Sequence, residues 1–187
     1  MNRHIVVVIM LLGTGLLGCM PGAAEQKEEV RPDFFFDVKG YFEAEIARLN
    51  TSQPTVKKIA SIGDLKEEQQ LKSLDYTQEL QLFASADINK LAWEEKYSTK
   101  EKTSLDGAKI TTHQALDSSL KIKQIEVATL EEQVQSITIL KSQKNALAGT
   151  DQKLVYQPAR GFSVENEQEL ILGDGKKIKV EILFIND

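Results

Sequence analysis

The side chains that most often carry catalytic chemistry are scarce in this chain of 187 residues. It has one cysteine, Cys19, and two histidines, His4 and His113. A histidine-based zinc site or a cysteine–histidine pair needs several such side chains close together. Because His113 lies among polar residues in the segment KITTHQA, we interpret it as a surface or cross-strand residue rather than a general base.

Motifs for nucleophilic or nucleotide chemistry are missing as well. No serine sits in a G-x-S-x-G turn, and the segment GFSVE around Ser163 is typical of the start of a strand. The sequence has no phosphate-binding loop and no strand-linked G-x-G-x-x-G, and GDGKK at 173–177 indicates a tight turn. We therefore predict that the protein is not an enzyme, with no catalytic residues and no cofactor.

Carboxylates are plentiful, but their spacing does not favour a catalytic pair. Glu165, Glu167 and Glu169 alternate along a predicted strand and would share one face. A weak calcium contact and a solvated face both fit this spacing, and the solvated face is the interpretation we favour. Because the aspartates lack the spacing of a calcium-binding loop, we predict no metal site.

The amino-terminal residues are typical of an export signal. Arg3 lies in a short polar start, and the apolar run from Ile5 to Leu17 covers about 13 residues. A helix that spans a bilayer needs roughly 20 such residues. The sequence therefore predicts a signal peptide over 1–18 rather than a transmembrane helix.

Leu16, Leu17, Gly18 and Cys19 resemble the lipobox of bacterial lipoprotein precursors. The resemblance implies cleavage between Gly18 and Cys19, a diacylglyceryl group on the Cys19 thiol and acylation of the new amino terminus. Several acyl chains on one residue hold a protein firmly at a membrane, whereas a single chain binds weakly. An ordinary secretory signal with an incidental cysteine is the alternative.

Residues 19–31 follow as a predicted flexible tether, because they contain small residues and the charged run EQKEEV without apolar periodicity. Residues 32–187 are predicted to form a single domain. Lys27, Glu28 and Glu29 resemble an export signal of Bacteroidota surface lipoproteins, although a solvated linker explains them equally well. We expect a protein anchored in the outer membrane, and the sequence does not indicate whether its domain faces the periplasm or the cell surface.

The net charge of −5, from 23 basic and 28 acidic residues, does not favour nucleic acid as a partner. The partners that we expect are the membrane, through the lipid, and either an unknown envelope protein or a lipophilic ligand.

Two helices are predicted before the pattern changes to that of strands. Asp33 could cap the first helix, whose apolar face recurs at helical spacing. A hairpin follows at 55–62 and 67–73. Asp75 caps the second helix, which should end between Asp87 and Lys90.

From Trp93 onward the apolar residues alternate with a period of two. Strands are predicted at 92–103, 108–115, 119–128, 133–142, 151–157, 161–172 and 176–184, and residues 143–150 are predicted to be a mobile loop. Short connections favour an antiparallel meander. We predict an α+β fold with a curved antiparallel sheet of about seven strands plus a small hairpin, and two helices packed on one face.

Six aromatic residues could surround a hydrophobic ligand, or could form an ordinary core, which is the interpretation we favour. They are Phe35, Phe42, Tyr76, Phe83, Trp93 and Tyr97. Two functions follow. The first is a binding or structural module that engages another envelope component. The second is a carrier or sensor of a lipophilic ligand held between helices and sheet, which resembles the periplasmic lipoprotein carriers in architecture alone.

The segment ELQLFASADINKLAWEEKY, together with the phenylalanine-rich first helix and the lipobox, resembles a group of small envelope lipoproteins of Bacteroidota. Leu91 stands where that group is expected to have proline. No activity is assigned to the group, so the resemblance implies a localisation in the cell envelope and no functional residues.

Overall fold

The first helix, α1, spans Val38–Ser52 in the computed structural model, which describes residues 33–145, 148–170 and 175–185. Its amino-terminal cap is Asp37, whose carboxylate accepts a hydrogen bond from the Gly40 N–H at 2.9 Å. A Cβ at Gly40 would lie 2.1 Å from this carboxylate, which explains the glycine. The prediction that Asp33 caps the helix is wrong, because long-range contacts hold the backbone of Phe35 and Phe36 outside the helix.

The second helix, α2, spans Tyr76–Ala84 and begins where the sequence predicts. The Asp75 side chain accepts from the N–H groups of Thr77 and Gln78, at 3.0 and 3.4 Å. The helix ends earlier than predicted. A short 3₁₀ helix, Leu91–Lys96, also stands where the sequence predicts the beginning of a strand.

Nine strands form the rest of the described chain. They are β1 (Val56–Ile62), β2 (Leu65–Leu71), β3 (Tyr97–Thr103), β4 (Lys109–Ala115), β5 (Ile122–Leu130), β6 (Gln133–Lys144), β7 (Ala148–Gln157), β8 (Gly161–Leu170) and β9 (Lys176–Phe184). Because Lys144 of β6 pairs with Gly149 of β7, the prediction of a mobile loop over 143–150 is wrong for most of that segment.

The strands make one antiparallel sheet in the order β2-β1-β9-β8-β7-β6-β5-β4-β3. The chain therefore runs as a meander from β3 to β9 and returns to the hairpin, since β1 pairs with β9 from Val56↔Phe184 to Ile62↔Ile178. This pairing corrects the prediction of about seven strands with a small hairpin beside them. The sheet is open, with β2 and β3 at its edges, and the α+β class is confirmed.

Both helices pack on one face of the sheet, which we call the helix face. The Phe42 ring of α1 lies 5.1 Å from Tyr156 of β7, and Phe83 of α2 lies 6.0 Å from Phe162 of β8. Strand residues of the same face complete the core. They include Ile125, Val127, Ile137, Ile139, Leu154 and Ile182, all at most 2% exposed. All described residues belong to one compact unit.

Candidate functional site

The predicted lipidation site lies outside the described residues. This applies to Gly18 and Cys19, and equally to the signal peptide at 1–18 and the tether at 19–31. Their roles stay predictions from the sequence. No helix within the described ranges is both long enough and apolar enough to cross a bilayer.

The six aromatic residues of the predicted ligand wall lie in the core between helices and sheet, in two groups. Phe42 and Phe83 are fully buried, and their ring centroids are 5.0 Å apart. Phe35 contacts Tyr97 at 5.8 Å, and Tyr97 contacts the half-buried Trp93 at 6.1 Å. Their partners in the sheet, Tyr156 and Phe162, are not among the residues predicted from the sequence, although Tyr156 alternates with buried Leu154.

These rings pack against other side chains, and none of them lines a surface depression described below. Four surface depressions bordered by described residues lie elsewhere, and none of these four has any of the six residues in its wall. Tyr76 is fully buried, and its hydroxyl has no hydrogen-bond partner among the described residues. A ligand between helices and sheet would require these rings to move apart.

His113 and Asn89 hold the segment that precedes α1. His113 is 3% exposed, so a surface position is wrong, but its cross-strand contact is confirmed by the 2.9 Å distance from Nδ1 to Thr99 Oγ1. The Phe36 N–H donates to His113 Nε2 at 3.4 Å. The side-chain amide of Asn89 accepts from the Phe35 N–H and donates to the Phe35 carbonyl, each at 2.9 Å.

This arrangement requires a neutral imidazole, since Nε2 acts as an acceptor. Burial lowers the pKa of His113 below its usual value, while Glu101 acts weakly in the opposite direction. Both ring nitrogens are engaged in structural contacts. No local sequence pattern indicates the role of Asn89, because its partners are 53 and 54 residues away.

A half-buried carboxylate ties α1 to the sheet. Glu45 accepts two hydrogen bonds from Arg48, at 2.9 and 2.8 Å, and one from the hydroxyl of Tyr156. Burial acts to raise the pKa of Glu45, but the hydrogen bonds from Arg48 and Tyr156 outweigh it and hold the pKa below its usual value. Because both carboxylate oxygens are occupied, we interpret this cluster as a structural link.

The row of glutamates on β8 lies on the sheet face opposite the helices, as a charged surface. Glu165 pairs with Lys177 at 2.8 Å, and Glu169 lies 3.6 Å from Lys144. Within the described ranges, no group of three or more acidic, histidine or cysteine side chains is arranged to hold a metal ion.

Two lysines of the helix face mark where the cover of the helices ends. Lys58 of β1 pairs with Glu79 of α2 at 2.7 Å. On the other side of α2, Lys141 of β6 donates to the Leu82 carbonyl at 2.6 Å. Beyond these two lysines no helix of the described residues lies over the helix face, and we call this part of the sheet the open face.

One side of the open face is apolar. Leu65, Ile62 and Ile178 are direct neighbours in the register of β2, β1 and β9, so their side chains point to the same side. Leu65 is 76% exposed and Ile62 is 54% exposed. Val180, two residues from Ile178, extends this group, and we call the four residues the apolar strip. None of the four belongs to the core.

The other side of the open face is polar and cationic. A depression of about 340 Å³ lies over β6 and β7, and its wall includes Lys121, Lys141, Gln143, Thr150 and Gln152. Burial lowers the pKa of Lys141 to about 8. We call this depression the lysine pocket, and no described residue in its wall is acidic.

Comparison with known proteins does not indicate a function, so the surfaces described above are the main guide. No protein-family model, curated protein or solved structure matches this chain.

Proposed function

We propose that this chain is a lipid-anchored protein of the bacterial cell envelope, held in the outer membrane through Cys19, and that its domain is a non-catalytic binding module. Its partner is another protein of the envelope, and the domain binds it through the apolar strip of the open face. The observation that carries the binding role is the exposure of Leu65 and Ile62, with the half-buried Ile178 and Val180 beside them, on the sheet face that also carries the helices.

The strip has the properties of a small interaction surface. Three adjacent strands present Leu65, Ile62 and Ile178 side by side, and Val180 continues the row. Full burial of one such aliphatic side chain contributes about 1.5–3 kcal/mol, so four of them can provide the centre of an interface. Contiguous exposed apolar groups of this kind are typical of binding sites.

The edges of the sheet are less suited to a partner. The edge strand β2 carries Lys66, Glu67 and Glu68, while β3 carries Lys100, Glu101 and Lys102. Charged residues on edge strands oppose the addition of another strand. A partner is therefore expected on the face of the sheet, not along its edge.

The alternative function, a carrier of a lipophilic ligand, has less support. It requires space between helices and sheet, where the aromatic rings pack at centroid distances of 5.0 to 6.2 Å. The carrier hypothesis remains open to test by lipid extraction and native mass spectrometry of the purified protein.

The proposed lipidation and membrane localisation are tested first, with the substitution Cys19→Ser. We expect this variant to remain an uncleaved and unlipidated precursor, whereas the unaltered chain is processed and fractionates with membranes. Unchanged processing and membrane retention in the variant would show that the lipobox interpretation is wrong.

The binding role is tested by purification from envelopes after crosslinking. Replacing Ile178 by Glu places a charge in the apolar strip, and we expect it to abolish recovery of the partner. Lys179→Glu changes the neighbouring residue, which points to the opposite face of the sheet, and serves as the matched control. Equal recovery with both variants would contradict the proposal.

A further inference from the structure

The lysine pocket contains a lysine, Lys141, whose ammonium group has hydrogen-bond donors without an acceptor among the described residues and no ion-pair partner among them. The Nζ of Lys141 has three hydrogen-bond donors, and the structure uses one of them, for the Leu82 carbonyl. That carbonyl lies in the last turn of α2, where the helix has no further N–H to offer it. No described carboxylate forms an ion pair with Lys141.

This arrangement is unusual for a chain in which acidic residues outnumber basic ones. Other lysines near the pocket have carboxylate partners, as Lys144 does with Asp151 and Glu169. A half-buried charge normally has a partner, because its transfer from water is unfavourable. Lys141 therefore keeps its charge in a place where a ligand, and not the protein, could neutralise it.

The rest of the wall offers further hydrogen-bonding groups. Lys121 adds a second cation, and the side chains of Gln143, Thr150 and Gln152 supply amide and hydroxyl groups. The volume of about 340 Å³ falls within the range of small-molecule sites and exceeds the needs of a single water molecule. Two ammonium groups with no acid in the same wall favour a negatively charged ligand.

We propose that the lysine pocket binds a small ligand through an oxyanion, that is, a carboxylate, sulfate or phosphate group placed between Lys141 and Lys121. The inference rests on the proposed role of the open face in binding and names the chemistry of one part of it. The anion accepts hydrogen bonds from the free donors of Lys141, while Gln152 and Thr150 contact the remainder of the ligand. Binding leaves the hydrogen bond to Leu82 in place.

The test uses the purified full chain in detergent at constant ionic strength, with sulfate and glucuronate as charged probes and glucose as the neutral probe. We expect the charged probes to saturate with a dissociation constant on the order of 1 mM. In the carbon-13 NMR titration of the lysine ε-methylene groups, the pKa of Lys141 should rise from about 8 when a charged probe is bound. Glucose should leave it unchanged.

Two variants and one control assign the site. Lys141→Met keeps the apolar stem of the side chain and should weaken binding at least about tenfold, since a charge-assisted hydrogen bond is lost. Lys121→Gln should weaken it by about threefold, because this lysine is exposed. Lys153→Met removes a lysine from the opposite face of β7 and should change nothing.

The results separate the sources of the anion and can overturn the proposal. Glucuronate that binds more tightly than sulfate would indicate an acidic sugar, whereas tighter sulfate binding would indicate a compact anion. Equal binding of glucose and glucuronate, or equal losses in Lys141→Met and Lys153→Met, would show that no oxyanion site exists here. Because these measurements need no partner, loss of the envelope protein in Ile178→Glu with intact anion binding would separate the two proposals.

Discussion

One face of the nine-stranded sheet is built in two different ways. Under the helices, Ile182 of β9 is fully buried against aromatic rings. Further along the same strand and on the same face, Val180 and Ile178 lie beyond the cover of α2 and outside the core. The alternating pattern is the same in both parts, so their difference comes from whether a helix packs over them. Apolar residues of one pattern thus serve stability in one part and remain available for binding in the other.

The largest expected effect separates the two parts by stability. Phe42→Ala leaves a cavity in the aromatic core and should lower the free energy of unfolding by about 3–5 kcal/mol. Ile62→Ala on the open face should lower it by less than about 1 kcal/mol, because Ile62 is 54% exposed. Urea denaturation followed by circular dichroism measures both. Similar losses in the two variants would mean that the open face contributes to the core.

Two tyrosines within the covered part should respond in opposite directions. Tyr156→Phe removes a hydroxyl that donates to Glu45 and should lower the free energy of unfolding by about 1–2 kcal/mol. Tyr76→Phe removes a buried hydroxyl without a described partner and should raise stability, by about 1 kcal/mol. Thermal unfolding of the pair under one set of conditions tests this contrast. Destabilisation by Tyr76→Phe would show that its hydroxyl is satisfied.

The covered part should also depend on pH through His113. Its pKa is lowered in the folded protein, so unfolding favours proton uptake, and stability should fall as the pH drops below the unfolded pKa of about 6.5. Protonation would convert Nε2 from an acceptor into a donor. It would then face the Phe36 N–H, which is also a donor, and the hydrogen bond would be lost. His113→Gln should remove the slope of stability between about pH 6.5 and the lower folded pKa. A slope that persists in this variant would assign the dependence to other groups.

The smallest effect is expected at the border between the two parts. Lys58→Gln breaks the ion pair with Glu79, whose partners are 32% and 25% exposed, and should lower stability by about 0.3–1 kcal/mol. The loss should shrink at high salt, because screening weakens such pairs. A loss of several kcal/mol would mean that Lys58 holds α2 in position. Chemical denaturation by urea at two salt concentrations distinguishes the outcomes.

The parts of the fold that depend on neighbouring residues could be predicted from the sequence. The cap at Asp75, the start of α2 and the bounds of β9 all follow from local spacing. The start of α1 could not, since it depends on Asn89 and His113, which lie far along the chain. The return of β9 to β1 is equally non-local, and it joins the hairpin to the sheet.

The candidate sites show the same limit. The aromatic residues could be recognised as a group and favoured as an ordinary core, but their spacing alone does not exclude a ligand wall, which requires knowledge of how the helices pack on the sheet. Lys141 has no sequence signal at all, because its half-buried position depends on where α2 ends above β6. The boundary between buried and open parts of one strand face is a property of the helices that cover it, and periodicity alone does not report it.

A photo-crosslinking residue placed at Ile178 or at Lys179 in the full chain tests whether the open face is the binding surface. These neighbouring residues point to opposite faces of the sheet. The two crosslinkers therefore lie at nearly the same place in the strand but reach different surfaces. We expect a discrete crosslinked product with one envelope protein from position 178 and none from position 179. Products of equal yield from both positions, or from position 179 alone, would contradict it.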